Sequence, residues 1–133
     1  MAIRKVISLV VAALFLISTP AFANQCVTID QFHYTLMSQG IKSYGSKSAA
    51  TGKMEKLINS NRTKAGKDTI DASIVLAAYG QDQKGQIIVI VAVVDQNGCI
   101  IEDTFTTLTA DMWLSFLGSS GVELEDFIPI DGA

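Results

Sequence analysis

The run Ile87–Val94 constrains the fold of this chain more than any other segment, because all of its residues are apolar. All but Ala92 are β-branched, a side-chain type that favours strands. Turn residues bound the run on both sides, and a short apolar run between turns fits a strand better than a helix. Because both faces of this strand are apolar, we predict an interior strand with cover on both sides of its sheet.

Two neighbouring segments are predicted to pair with this strand. Apolar residues alternate over residues 70–79, which predicts a strand, and the glycine-bounded stretch 80–85 predicts the turn between the two. Asn97-Gly98 predicts a type I′ hairpin, since both residues tolerate positive φ. A third strand is predicted over residues 99–107. Together these segments form an antiparallel three-stranded meander.

Two helices are predicted before this meander in the chain, and one is predicted after it. Thr28 and Gln31 form a capping-box pattern ahead of a helix over residues 29–39, which Gly40 ends. A loop over residues 43–50 leads to a second helix over residues 49–60.

A third helix is predicted from Thr107 or Thr109 to Gly118, followed by a tail that Pro129 confines to a sheet edge. The order α-α-β-β-β-α with a docked C-terminal tail predicts a single small α+β domain.

Residues 1–23 have the pattern of a cleaved secretory signal peptide. Arg4 and Lys5 precede an apolar run over residues 6–17, and Ala21 and Ala23 supply the small residues of a cleavage site. The run is too short for a bilayer, which takes roughly 20 apolar residues. We therefore predict a mature domain over residues 24–133 that is periplasmic or secreted and has no membrane span.

The chain has two cysteines, Cys26 and Cys99. In an exported protein such a pair predicts one disulfide bond. A redox pair would favour Cys-x-x-Cys spacing, and a structural zinc site would need four nitrogen or sulfur ligands where His33 is the sole histidine. We expect no metal and no cofactor.

Charge is segregated along the chain. Between residues 42 and 67, Glu55 is the one acid among seven bases, whereas no base follows Asp95. Removing Arg4 and Lys5 with the signal peptide takes the formal net charge from −3 to −5, which disfavours nucleic acid as a partner. The candidate partner-binding basic face comprises Lys53, Lys56, Arg62, Lys64 and Lys67. The alternative is that these lysines and the arginine only solvate the surface.

No catalytic motif is present. The Gly-x-Ser-x-Gly and His-Glu-x-x-His patterns and the phosphate-binding glycine loops are all missing. His33 lies on the apolar face of the first helix, where packing is the simpler interpretation, and catalysis would need a nucleophile or carboxylate beside it. Glu102 and Asp103 are predicted to point to opposite faces of the third strand. These observations favour a non-enzymatic function and leave an enzyme that uses His33 as the alternative.

These features support three hypotheses about function. The first is a small exported protein that binds another envelope or extracellular protein, as an inhibitor, accessory subunit or effector-like factor. The second is a small hydrolase or lyase that uses His33 with a carboxylate. The third is a carrier that holds a small apolar ligand between the sheet and the helices.

Overall fold

The computed structural model describes residues 26–130 of the chain. The predicted signal peptide, residues 1–23, and the cleavage point before Asn24 lie outside the described residues, as do residues 131–133. The described residues form one small domain of mixed helix and strand, which confirms the predicted α+β class.

Three helices and five strands make up this described part. The helices are α1 (Ile29–Met37), α2 (Ser48–Lys64) and α3 (Ala110–Ser120). The strands are β1 (Lys42–Ser46), β2 (Ala72–Gln81), β3 (Ile87–Asp95), β4 (Thr106–Thr109) and β5 (Phe127–Pro129). Short 3-10 turns occupy Glu102–Thr104 and Leu124–Asp126. The order α-β-α-β-β-β-α-β differs from the predicted one because β1 and β5 join the sheet.

The five strands form one antiparallel sheet in the spatial order β4-β3-β2-β1-β5. The predicted meander corresponds to β2, β3 and β4, which are neighbours in this sheet. Helix α1 packs on one face, and α2 and α3 pack on the other. The domain therefore has three layers, with apolar side chains buried on both sides of the sheet.

Strand β3 contributes to both apolar cores. Ile88, Ile90, Ala92 and Val94 pack with Phe32 and Leu36 of α1. Val89, Val91 and Val93 pack with Met54 of α2 and Trp113 of α3. The predicted interior strand with cover on both faces is confirmed, and each fully buried side chain of this size stabilises the fold by about 1.5–3 kcal/mol.

The predicted disulfide bond holds the start of the described chain to the sheet. Cys26 and Cys99 form a disulfide bond with their Cα atoms 4.9 Å apart. Beside it, the Ile100 amide donates to the Val27 carbonyl at 2.8 Å. Thr28 then caps α1 with the predicted capping box. The disulfide thus fixes the entry to α1.

The loop predicted for residues 43–50 is wrong, because Lys42–Ser46 is a strand and α2 begins at Ser48. Polar side chains indicate a loop only when water is their partner. Ser43 and Ser46 are instead buried, and both hydroxyls bond to other parts of the chain. These tertiary hydrogen bonds allow a polar segment to lie inside the sheet.

The predicted hairpin at Asn97-Gly98 exists, but its turn is not type I′. Of the two turn residues Asn97 and Gly98, Gly98 alone has positive φ, at +84°. The Asp95 carboxylate accepts hydrogen bonds from the amides of Asn97 and Cys99, at 2.8 and 3.0 Å. The Asp95 amide also bonds to the Cys99 carbonyl, which closes a three-residue loop with glycine in the left-handed position.

The predicted third strand over residues 99–107 is interrupted. Isolated bridges involve Cys99 and Ile100, a 3-10 turn follows, and β4 begins at Thr106. The Thr104 hydroxyl accepts the hydrogen bond of the Val93 amide at 3.0 Å, where a backbone carbonyl would otherwise serve. Glu102 and Asp103 therefore lie exposed in a turn, and their predicted placement on opposite strand faces is wrong.

Helices α2 and α3 are longer than predicted. α2 passes the predicted end at residue 60, and α3 passes Gly118. Each is followed instead by a glycine with positive φ, Gly66 at +77° and Gly121 at +72°. The hydrogen bonds of a Schellman motif end each helix there. As a result Arg62, which lies beyond the predicted helix end, is part of α2.

The C-terminal tail docks at a sheet edge, as predicted. β5 pairs antiparallel with β1 and carries Pro129. The Lys47 amide donates to the Asp126 carbonyl at 2.8 Å, and the Ile130 amide donates to the Ser43 carbonyl at 3.0 Å. Across residues 26–130, no helix is both long enough and apolar enough to cross a membrane.

Candidate binding groove

A groove of about 350 Å³ opens between α2, α3 and the β3–β4 side of the sheet. Its apolar walls are formed by Ile58, Val91, Val93, Leu108, Trp113 and Phe116. The rings of Trp113 and Phe116 stack with their centroids 5.8 Å apart. The volume is at the lower end of the roughly 300–1,000 Å³ that small-molecule sites occupy, and most such sites are apolar with a few polar groups.

Arg62 is held at the rim of this groove by two hydrogen bonds. Its Nη1 group donates to Asp103 Oδ1 at 3.0 Å, and its Nε group donates to the Asp68 carbonyl at 2.6 Å. The Arg62 side chain is 14% exposed, against 50% for Asp103. The guanidinium is therefore fixed in orientation, and Asp103 offsets its charge.

Lys67 lies at the same rim and is exposed. In the described chain the ion pair between Arg62 and Asp103 is the one salt bridge formed, so the ammonium of Lys67 is not neutralised by a neighbour. The rim therefore carries a net positive charge beside an apolar wall. Such a surface suits a ligand that combines an apolar group with a carboxylate.

The remaining bases of the predicted basic face lie elsewhere on α2. The Lys53 ammonium is 3.4 Å from the Gly121 carbonyl, at the C-terminal end of α3. Lys56 and Lys64 are exposed. Of the predicted set Lys53, Lys56, Arg62, Lys64 and Lys67, the structure therefore brings two members, Arg62 and Lys67, to the groove.

The His33 side chain is buried. It is 5% exposed, and its Nδ1 lies 2.6 Å from the hydroxyl of Ser43, which is itself fully buried. No group in residues 26–130 hydrogen-bonds to its Nε2. The side chain thus has the packed position, with one bonded nitrogen, that its place on the apolar face of α1 predicts.

Behind the groove wall, Tyr79 of β2 accepts a hydrogen bond from the Trp113 indole at 3.1 Å. Burial raises the pKa of the Tyr79 hydroxyl above its usual range, while the hydrogen bond from Trp113 acts in the opposite direction. The hydroxyl is therefore neutral at physiological pH. It positions the indole that forms part of the groove.

No cluster of three or more His, Cys, Asp or Glu side chains suited to a metal ion occurs between residues 26 and 130. Comparison of the chain with protein-family models, curated proteins and solved structures finds no match. The geometry of the groove is thus the main guide to function.

The sequence singles out most of the groove residues, but it does not show that they come together. Trp113 and Phe116 fall at core spacing on the third helix, and Asp103 reads as a solvated acid. Their meeting with Arg62 joins positions 41 residues or more apart in the chain. A local pattern carries no information about contacts of this range, and the one available hint was the high density of bases around Arg62.

Proposed function

We propose that this protein is an exported, non-enzymatic binding protein whose partner is another protein of the envelope or extracellular space. The observation that carries the proposal is the meeting of an apolar, aromatic-lined groove with a cationic rim at the end of α2. Aromatic residues and arginine are enriched in the buried centre of protein interfaces. A groove that brings together the partly exposed side chains of Phe116 and Arg62 supports this function better than any catalytic arrangement.

The disulfide bond supports the export part of the proposal. A bond such as Cys26–Cys99 persists in oxidising compartments and is rare in the cytosol. The basic and apolar pattern of residues 1–23 agrees with this assignment. Intact-mass analysis of protein recovered from periplasmic and culture fractions tests it, and the expected first residue is Asn24. Recovery of the full-length chain from the cytosol with two free thiols would contradict export.

The rim and the wall of the groove define the chemistry of the partner. Lys67 and the fixed guanidinium of Arg62 favour carboxylates, and the wall formed by Leu108 and Phe116 favours an apolar side chain. Opposite charge increases the association rate and selects among partners. The partner therefore presents acidic residues next to an apolar anchor.

Affinity capture with two matched charge reversals tests this site. Lys67→Glu reverses a charge at the groove rim, whereas Lys56→Glu makes the same change at an exposed position of α2 outside the groove. Arg62 stays unchanged because it also bonds to Asp68 and Asp103. We expect Lys67→Glu to bind the captured protein about tenfold more weakly, a change of about 1.4 kcal/mol. The Lys56→Glu variant is expected to bind like the wild type.

Equal retention of partner by the wild type and both variants would contradict a role for the groove rim. Equal losses in both variants would point to general charge attraction rather than to this site. Repeating the capture at higher salt tests for general charge attraction. Exposed charges farther apart than about 10 Å are screened at 0.1 M salt, so binding that depends on them should weaken.

A small ligand with an apolar body and an acid group is the second candidate occupant, and the groove volume favours it. Trp113 is the only tryptophan of the chain and lines the groove, so its fluorescence reports occupancy. Decanoate is a suitable probe, and native mass spectrometry of freshly purified protein detects a retained ligand. Unchanged Trp113 emission on addition of decanoate, together with a native mass that shows no retained ligand, would exclude this candidate.

A further inference from the structure

Strand β4 ends the sheet on the side of the groove. It pairs with β3 along one edge, and its other edge has no strand partner in the described chain. Thr106 and Leu108 of this strand also line the groove. The free edge and the groove are therefore adjacent parts of one surface.

The hydrogen bonds of Val93 determine which backbone groups face this edge. The Val93 amide donates to the Thr104 hydroxyl, and the Val93 carbonyl accepts from the Ile101 amide at 2.8 Å. Val93 thus directs both backbone groups away from β2. Because these directions alternate along an antiparallel strand, Val91 directs its own backbone groups the same way, toward β4.

Thr106 is the residue of β4 opposite Val91, so its backbone groups face β3. By the same alternation, Thr107 directs its amide and carbonyl to the outside of the sheet. No backbone hydrogen bond reaches Thr107 from the other loops and helices of residues 26–130. Thr107 therefore offers one donor and one acceptor to an incoming chain.

The segment before β4 already receives an extended chain on this side. The Ile100 amide donates to the Val27 carbonyl, and Thr28 forms an antiparallel bridge with Cys99. The chain thus adds its own N-terminal residues beside Cys99 and Ile100. The described residues leave the following stretch, β4, without such a partner.

The two ends of the sheet differ in how they resist strand addition. β5 has three residues and contains Pro129, which lacks an amide donor. β4 has the sequence Thr-Thr-Leu-Thr, with no proline and no charge. Charges and prolines are two of the devices that protect an edge strand, and β4 has neither.

We infer that the partner binds by strand addition: an extended segment with acidic residues pairs with β4 through Thr107 and places alternate side chains over the groove. This inference rests on the proposed protein-binding function and specifies how the same site would work. Side chains opposite Thr106 and Leu108 fall on the groove face, because side chains alternate along a strand. Carboxylates at one end of the segment lie beside Lys67. Backbone pairing supplies affinity in this mode, and the groove and rim supply specificity.

A defined peptide tests the inference without the natural partner. The probe has the sequence Leu-Thr-Leu-Thr-Leu-Thr-Asp-Asp, because an antiparallel strand brings its C-terminal end to the Thr106 end of β4, where Asp103 and Lys67 lie. Its control carries Lys-Lys in place of Asp-Asp. Amide hydrogen exchange of the oxidised mature protein is followed by NMR. At saturating peptide we expect exchange at Thr107 to slow at least tenfold, with a smaller change at Thr106, whose backbone groups face β3. The lysine control is expected to bind at least tenfold more weakly.

Two substitutions complete the test. Thr107→Pro removes the outward donor and is expected to weaken peptide binding at least tenfold, whereas Thr107→Val keeps the donor and is expected to bind like the wild type. If Thr107→Pro does not fold, the exchange measurement on the wild type still decides. Unchanged exchange at Thr107, or no binding of the acidic peptide, would overturn strand addition.

The outcomes also separate this inference from the proposed function. Capture that depends on Lys67 without protection of Thr107 would leave partner binding at the groove intact and exclude strand addition. Protection of Thr107 by the peptide, with no effect of Lys67→Glu on capture, would support the edge and contradict the role of the rim.

Discussion

The indole of Trp113 on α3 donates a hydrogen bond of 3.1 Å to the hydroxyl of Tyr79 on β2. The Tyr79 ring also meets the Tyr44 ring of β1 edge-to-face, with centroids 5.4 Å apart. Burial raises the pKa of Tyr79, and the Trp113 hydrogen bond opposes this increase because it stabilises the phenolate. The Trp113–Tyr79 pair thus links the helical layer to the sheet. Its effect on the pKa of Tyr79 can be followed by spectroscopic titration.

Replacing Trp113 by phenylalanine should raise the pKa of Tyr79 further, because the opposing hydrogen bond is lost. It should also destabilise the fold by roughly 1–3 kcal/mol through the buried partner left behind. Ultraviolet titration of the tyrosines measures the first effect, and urea unfolding measures the second. Ser115→Ala, at an exposed position of α3, serves as a control. An unchanged Tyr79 titration in Trp113→Phe would show that the hydrogen bond does not act on the phenol.

Stability should fall as the pH rises above about 10, the ordinary pKa of tyrosine. The folded-state pKa of Tyr79 is raised, so its contribution is complete below the unfolded pKa and is lost as the pH passes through the folded pKa. Urea unfolding between pH 8 and 11.5 measures this dependence. Tyr79→Phe, which lacks the titrating group, should show a smaller fall, and an identical fall would contradict the assignment to Tyr79.

Reducing the Cys26–Cys99 disulfide should lower the free energy of unfolding by at most about 4 kcal/mol, since the bond closes a loop of 73 residues in the unfolded chain. Urea unfolding with and without a reductant measures the difference. The Cys26→Ser/Cys99→Ser variant should match the reduced protein and should not respond to reductant. Equal unfolding midpoints for the oxidised and reduced forms would contradict a stabilising role.

Ser43→Ala should destabilise the protein by about 1–3 kcal/mol, because it leaves both ring nitrogens of the buried His33 without a partner. Ser60→Ala removes the hydroxyl of an exposed serine and should change stability by less than about 0.5 kcal/mol. Thermal and urea unfolding provide the comparison. Equal stability of the two variants would mean that the bond between Ser43 and His33 contributes nothing.

Asn59→Asp should cost about 1–3 kcal/mol. The Asn59 side chain accepts from the Ile70 amide at 2.8 Å and donates to the Ile70 carbonyl at 2.9 Å, in place of a strand partner. Aspartate loses the donor and brings a negative charge to the carbonyl. Asn61→Asp makes the same chemical change at an exposed position of α2 and should have little effect on unfolding. Similar costs in both variants would indicate a general charge effect on the helix.

Features that depend on neighbouring residues were predictable from the sequence. The apolar run of β3, the capping box at Thr28 and the positive-φ stop at Gly40 are local, and the structure confirms each of them. The disulfide was predictable for a different reason, because two cysteines allow one intramolecular pairing. The helix ends at Gly66 and Gly121 were misplaced, since several glycines compete along the chain and packing selects among them.

Strand β1 shows why other features were not predictable. Its serines resemble a loop until Ser43 meets His33 and Ser46 accepts the Val75 amide at 2.9 Å. Ser46 also lies 2.6 Å from the hydroxyl of Thr51. A buried hydroxyl is tolerated only when such partners exist, and their positions depend on the assembled fold.

The sequence by itself determined the α+β class, the covered strand β3, helix α1 and the disulfide, because hydrophobic pattern, capping chemistry and cysteine number act over short range or leave no alternative. Only the tertiary structure decided that Lys42–Ser46 is a strand, that β4 has no second strand partner within residues 26–130, and that Arg62 and Lys67 meet an apolar groove. These three features depend on contacts between distant segments, where packing and hydrogen-bond satisfaction outweigh local preference.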